Sequence, residues 1–389
     1  MTGLVTLAVR HAAHHWGRTG VLAACLAILV SIPVASRWIG SAFEANLRSR
    51  AETVPLVVGA KGSRYDLVFS ALAFRATDLA PTPMRLYEEI RDRKDAEAIP
   101  LHARFTARGV AVLGTSFEYL ERRGLRVEDG RAFARLGEAV LGSGAARRLG
   151  LGPGDTLISD QRRSYDITAP SSVELRIAGV LAKSGTPDDD IAIVDLETAW
   201  VLEGIAHGHD DAKTIERPDL LIGKSDEHVA LSGAVITYQE VTDLNAASFH
   251  IHGSRDELPL SAILVYPRDD KARTILSTQV NASPGHQAIV PVRVVDDLMA
   301  FVVRIQSLLD GLSLVLGVST LALLGLIVWL TARAREDEIR TLREIGCSRG
   351  AVAGLFVIEI GATMVVGVAG GIGLAWLIKQ AAGGFLPFM

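Results

Sequence analysis

The sequence predicts a membrane protein of the α+β class, with three transmembrane helices and a mixed α/β extracytoplasmic domain inserted between the first and the second. Three observations carry this. Apolar residues gather in three runs, Thr19–Ser36, Gly311–Ala332 and Gly350–Ile378. The long stretch between the first two runs mixes strand-like and helix-like patterns. A short, densely charged stretch separates the second run from the third.

Each apolar run approaches or exceeds the ~20 residues that cross ~30 Å of hydrocarbon at ~1.5 Å per residue. The first holds no ionisable side chain except Cys25, the second holds none, and the third holds only Glu359. Helices that long and apolar on every side are uncommon in soluble domains. Basic residues precede the first run, as in a secretory signal peptide, but no convincing small-x-small cleavage site follows SIPVASRW. Pro33 falls toward the outer end of that run, where a kink or a stop is tolerated. The chain has 389 residues, 49% hydrophobic and 22% charged, enough for more than one folding unit. A net charge of −4 gives no nucleic-acid footprint. The two cysteines, Cys25 and Cys347, both lie outside the middle region, which must therefore stand on its own core without disulfides.

Orientation follows from the basic residues of the short loops. Residues 1–18 carry Arg10, Arg18 and three histidines without an acid, and the loop after the second run carries Arg333, Arg335, Arg340, Arg343 and Arg349. Both read as cytoplasmic, although Arg37, Arg48 and Arg50 on the outer side run against the rule. The expected layout is a cytoplasmic amphipathic segment over 1–18, a first span over 19–41, and an extracytoplasmic domain over 42–298. A second span with a periplasmic extension covers 299–333, a cytoplasmic charged segment 334–350, a third span 351–379, and a tail 380–389. This layout leads us to expect a multi-pass protein of the cell inner membrane.

Within the middle region, 52–68 is a strand-like run entering a Gly-Lys-Gly turn, and 83–99 is a helix started at Pro83 with Leu86 and Ile90 four apart. Residues 105–116 are β-favouring around Gly109. The stretch 171–204 reads as strand, acidic turn, buried strand and helix, because Val173, Leu175 and Ile177 alternate and Ile191–Val194 is continuously apolar. Residues 260–282 are a buried strand followed by a helix capped by RDD, and 207–257 is the least regular part.

The charged segment AREDEIRTLREIGCSRGAVAGLFVIE resembles the signature of the FtsX-like, MacB-type ABC transporter permease family. There the second span continues as R-x-x-E-I-x-x-L-R-x-x-G-x-x-R and a third span follows, beginning with an acidic residue. Arg335, Glu338, Ile339, Leu342, Arg343, Gly346, Arg349 and Glu359 occupy those places. Two further patches, AVLGSGAARRLGLGPGDTLIS and LRIAGVLAKSGTPDDDIAIVDLETAW, are similar to segments of the family's outer domain, and VVGAKGS to one branch of it. The resemblance implies a coupling helix that docks on a cytoplasmic ABC ATPase subunit, with ATP and Mg bound by that partner and no cofactor on this chain. It implies a second permease subunit in a homo- or heterodimer, contact with membrane lipid, and a periplasmic adaptor or lipoprotein as a further partner. The family has four spans and only three are readable here, so the fourth is expected to be split off, shortened away or supplied by a partner.

The residues make physical sense in that role. Ile339 and Leu342 share a helix face and Glu336–Arg340 follows the i,i+4 spacing, so an apolar strip with a charged rim suits a groove on a partner. Gly346 would end the helix and let the chain reverse. A solvated loop kept only for orientation is the plain alternative. A membrane-tethered sensor, or a regulator of a cell-wall hydrolase, is the rival function. It accounts for the outer domain but not for this match.

Other motifs read more plainly. Neither GAKGS nor GSGAARRLG has the G-x-x-x-x-G-K-[ST] order that cradles phosphate, so ATP hydrolysis is expected on the partner and this chain is not expected to be an enzyme. PDDDIAIVD lacks the glycine and distal Glu of a calcium loop and reads as a solvated turn. HGH (207–209) and HIH (250–252) each place two histidines on one side of an extended chain, without a third metal ligand at a readable spacing. Asp310 and Glu359 read as interface or helix-contact residues, since an unpaired charge in hydrocarbon costs several kcal/mol. Gly367 and Gly371 form a G-x-x-x-G pair that lets helix backbones approach closely.

Overall fold

A computed structural model describes residues 16–160, 172–208, 221–224, 229–231, 240–242, 244–251, 253–334, 340, 344, 346 and 348–385. The chain divides into two compact units, one of Met1–Leu47 with Val295–Met389 and one of Arg48–Val294. Helix α1 is Trp16–Glu52 and contains Pro33, which does not stop it. It runs on through residue 41 into the second unit, where Ala51 is wholly buried.

The Arg48–Val294 unit begins with β1 (Leu56–Ala60), buried along its whole length, and α2 (Arg64–Ala73). Ser63 caps α2 by accepting the Asp66 amide at 3.2 Å. Next come β2 (Thr82–Pro83) and α3 (Met84–Arg91). The helix expected over 83–99 is therefore much shorter. The Asp92 amide donates to the Glu88 carbonyl, Arg93 forks onto both Asp95 oxygens at 2.8 Å, and the chain is extended again from Ala96. β3 (Ala96–Ala107) and β4 (Val110–Thr115) form a hairpin whose turn, Arg108 and Gly109, has positive φ at both residues. Asp160 holds that turn by accepting from Thr106 Oγ1 and from the amides of Arg108 and Gly109 at 2.7–2.9 Å.

The chain continues through α4 (Phe117–Arg122), β5 (Val127–Gly130), β6 (Glu138–Leu141), α5 (Ser143–Leu149), β7 (Thr156–Ile158) and β8 (Glu174–Leu181). Alternation in β8 buries Leu175 and Ile177, as the period-two pattern requires. A 3₁₀ turn, Pro187–Asp190, leads into β9 (Ile191–Asp195) and α6 (Leu196–Glu203), which is capped by Asp195. Short strands β10 (Ala206–His207), β11 (Leu221–Lys224), β12 (Val229–Leu231), β13 (His250–Ile251) and β14 (Pro259–Leu260) follow. Much of 207–257 lies outside the described residues. β15 (Ala262–Pro267), α7 (Asp270–Ala282) and β16 (His286–Ile289) close the unit, with Asp269 accepting the Ala272 amide at 2.7 Å as the α7 cap.

One sheet runs in the order β16-β1-β15-β3-β4-β9-β6-β8-β5, with β7 on β8. The β4–β9 and β6–β8 pairs are parallel and the remaining pairs antiparallel. β1, β9 and β15 are apolar runs with no alternation because helices and sheet cover both their faces. The unit is thus the mixed α/β domain expected from the sequence, and its core holds Trp200, Leu141, Leu175 and Val265, each essentially without solvent exposure.

Two more long helices complete the chain, α8 (Pro291–Ala334, 44 residues) and α9 (Arg349–Phe385, 37 residues). Thr19–Glu52, Pro291–Ile327 and Ile360–Ala382 are the three segments, among the described residues, long and apolar enough to cross a membrane.

Candidate functional site

Most of the charged segment lies outside the described residues: Arg335, Glu338, Ile339, Leu342 and Arg343 are all among those not described. What is described frames it. α8 ends at Ala334 and α9 opens at Arg349, whose side chain is not described. Arg340 and Glu344 are exposed. Gly346 sits in a turn with φ of 98°, a backbone region that a residue with a Cβ rarely enters, so it is the point where the chain can reverse. Arg333, in the last turn of α8, lies over the Trp329 ring at 5.3 Å from its centroid, a cation–π pair suited to a membrane interface.

Within the Met1–Leu47 and Val295–Met389 unit, polar contacts tie α1 to α8. The Arg37 guanidinium reaches the Asp310 carboxylate at 2.5 Å, and Gln306 Nε2 donates to the Ser36 carbonyl at 3.4 Å. Asp310 therefore has its charge partner on a neighbouring helix. Gly40 leaves room for that contact, since a Cβ there would fall 2.2 Å from Gln306 Nε2.

Small residues bring α9 onto α1. A Cβ at Gly367 would meet Leu26 at 2.7 Å and the Ala23 carbonyl at 3.1 Å, and one at Gly371 would meet the Ala27 carbonyl at 2.8 Å. Ala375, one turn on, is fully buried. Glu359 lies in α9 with its side chain outside what is described. This seam is testable. At Gly370 a Cβ would lie 3.5 Å from that of Ala27, within disulfide range. With Cys25 and Cys347 replaced by alanine, Ala27→Cys with Gly370→Cys is expected to crosslink on oxidation. Adding Gly371→Val is expected to abolish the crosslink, because the new side chain must displace helix backbone.

In the Arg48–Val294 unit, the acidic turn is not the solvated turn expected. Asp188 and Asp189 are buried, and all three aspartates are engaged. Asp188 accepts Tyr119 Oη at 2.5 Å, Thr186 Oγ1 at 2.6 Å and Arg123 Nη2 at 3.3 Å. Asp189 accepts the amides of Ser184 and Gly185, each at 2.8 Å, and Asp190 pairs with Arg148 at 3.1 Å. Burial, together with the neighbouring Asp188 charge, holds the Tyr119 phenol well above its usual range, so it stays a donor. Arg123 also donates to Thr53 Oγ1 at 2.6 Å, just past the end of α1.

Gly142 and Gly144 of GSGAARRLG face this turn. A Cβ at Gly142 would fall 2.1 Å from the Asp188 carbonyl oxygen, so the acidic turn's backbone occupies the space. His207 and His250 pair across β10 and β13 with ring centroids 5.1 Å apart, while His209 and His252 lie outside the described residues. Among the described residues no group of three or more His, Cys, Asp or Glu side chains is placed to hold a metal ion. The Tyr119–Asp188–Arg123–Thr53 connection escaped sequence reasoning. Its only local trace is the Thr-Pro-Asp-Asp order, in which a hydroxyl sits two residues before a carboxylate.

Comparison with known proteins covers most of these elements. The MacB-like periplasmic core domain family matches residues 22–251, more than half of the chain, and the FtsX-like permease C-terminal family matches residues 311–388. Among curated proteins none matches the sequence. The periplasmic region of MacB from Actinobacillus actinomycetemcomitans is similar at 10% identity over 64% of this chain and 94% of that one, with a TM-score of 0.37. The extracellular domain of the noncanonic ABC-type transporter YknZ from Gram-positive bacteria is similar at 11% identity over 60% of this chain and 98% of that one, with a TM-score of 0.33. Apolar helices and a mixed outer domain, each matched by its own family, make this a membrane protein that belongs to the FtsX- and MacB-like ABC transporter permeases, which work with a cytoplasmic ATPase.

Proposed function

We propose that this chain is a mechanotransmission permease of the cell inner membrane. A separate cytoplasmic ATPase binds ATP and magnesium, and its closure is passed through this chain to the outer domain. The outer domain then acts in export or extraction of a lipoprotein, peptide or lipid substrate. The observation that carries the reading is α8, one unbroken helix of 44 residues that starts two residues after the last strand of the outer domain and ends at the charged segment. A helix in which each turn is hydrogen-bonded to the next transmits displacement along its axis, whereas a loop absorbs it.

In this reading Arg335, Glu338, Ile339, Leu342, Arg343 and Arg349 make the docking surface, with Gly346 as the reversal. Gly367, Gly371 and Glu359 serve packing within the membrane. Two copies of the chain, or this chain and a related one, pair with two ATPase subunits.

The test is co-purification of the full chain with a cytoplasmic ABC ATPase from the same cell. Leu342→Asp places a charge in the apolar strip and Arg343→Glu reverses the rim, and each is expected to weaken capture by roughly 30-fold or more, as loss of a central interface residue does. Capture unchanged by both substitutions overturns the docking role.

A further inference from the structure

The end of α1 is held inside the outer unit by more than chain connectivity. Ala51 and Val54 are buried there, and Arg50 is only 5% exposed, within electrostatic reach of Asp188 and Asp190. Thr53 continues the cap of the helix by donating from its hydroxyl to the Arg50 carbonyl at 2.7 Å. That same hydroxyl accepts from Arg123, whose other nitrogen donates to Asp188. Arg123 and Asp188 are 8% and 1% exposed, so this is a charge pair shielded from water and from salt.

A buried pair of this kind adds little net stability compared with apolar residues of equal volume. Its strength lies in geometry, because either charge left alone is heavily disfavoured. Asp188 is itself fixed by Tyr119 and Thr186, and its turn rests on Gly142, where no side chain intervenes. The acidic turn is thus a rigid socket. Arg123 is the pin between that socket and the residue that follows the first membrane helix.

We propose that the Asp188–Arg123–Thr53 chain is a mechanical joint that locks residues 48–54, the last turn of α1 and its cap, onto the acidic turn of the outer domain. These are positioning residues, and the proposal rests on the force-transmission reading above. With the joint made, a displacement of α1 must carry the acidic turn and α4 with it. With the joint broken, residues 48–54 pivot and the displacement dissipates.

The test uses the full chain in lipid nanodiscs. Thr53→Val keeps the side-chain shape and removes the hydroxyl's bonds to Arg123 and to the Arg50 carbonyl, whereas Asp188→Asn leaves the Thr53 cap intact, keeps the Tyr119 bond and strands the arginine charge. Hydrogen exchange is expected to rise roughly tenfold or more at amides 48–56 in Thr53→Val, the change that loss of the hydroxyl's two hydrogen bonds allows, and to rise there also in Asp188→Asn, in which the Thr53 cap is untouched. Exchange in β4, β9 and β15 is expected to stay as in the parent. Spin labels at Glu52→Cys and Glu128→Cys, both exposed positions of the outer unit, in a chain with Cys25→Ala and Cys347→Ala, are expected to give a broader distance distribution in both variants. A role confined to stability would speed exchange throughout the sheet and leave the label distribution unchanged, and that result overturns the joint. So does unchanged exchange at 48–56. ATPase capture by the same preparations separates the two ideas: capture retained with unaltered exchange removes the joint alone, whereas no capture by the parent chain removes the transmission reading while exchange still decides the joint.

Discussion

Trp200→Ala is expected to lower the unfolding free energy of the outer domain by about 3–5 kcal/mol. Trp200 has no solvent exposure, lies on α6, and belongs to the core cluster that also contains Val194, Leu260 and Val265. Its indole Nε1 donates to the Pro259 carbonyl at 3.0 Å, pinning the short β14 strand to α6. Alanine leaves a cavity that the surrounding strands cannot close, and it removes the donor to the half-buried Pro259 carbonyl. Trp200→Phe refills most of the volume and loses the hydrogen bond, so a cost of about 1–2 kcal/mol is expected. The slowest-exchanging amides of β4 and β9 report the global stability and give both values. Protection in Trp200→Ala equal to that of the parent would contradict the packing described.

The second large effect is at Gly142. Its φ of −64° and ψ of 150° suit any residue, so Gly142→Ala isolates a purely steric cost. The added methyl carbon would sit 2.1 Å from the Asp188 carbonyl oxygen and 2.5 Å from the Asp189 carbonyl carbon, both main-chain atoms that cannot swing aside. A loss of about 3 kcal/mol is expected, at the upper end of overpacking penalties. Gly150→Ala is the control. Gly150 has φ of 67° as the left-handed cap of α5, and a Cβ there would have nothing within 4 Å, so only backbone strain of about 1 kcal/mol applies. Thermal unfolding of the three chains side by side orders them as parent, Gly150→Ala, Gly142→Ala. A Gly142→Ala chain as stable as Gly150→Ala would mean that the acidic turn does not press on α5.

How much of this is legible in the sequence follows from the range of each signal. The apolar runs announce three long helices because composition over ~20 residues needs no partner to be read. Alternation at Val173, Leu175 and Ile177 announces β8, and Asp269 announces the start of α7 because a cap acts within three residues. The helix expected over 83–99 is too long because Leu86 and Ile90 fit a helix that four polar residues, Asp92–Asp95, then end. The acidic turn misleads for a different reason. Three consecutive aspartates look hydrated, and only the fold brings Tyr119, Arg123 and Arg148 to them from far along the chain. The glycine-rich stretch ahead of α5 shows no phosphate-cradling order, but its actual neighbour, the backbone of residues 188 and 189, leaves no local trace.

The strand order has a consequence for how the protein is made. β1 is among the first parts of the outer domain to leave the membrane, yet its two partners are β15 and β16, and Val57 meets Ile289 only after more than two hundred intervening residues have followed. Through that interval a fully apolar strand has no neighbour on either edge, the situation in which chains stall or stick to one another. Folding of the outer domain is therefore expected to slow as the delay between emergence of the first strand and arrival of the last lengthens. The exposed edges of residues 56–60 are the place where premature association of nascent chains is expected to begin.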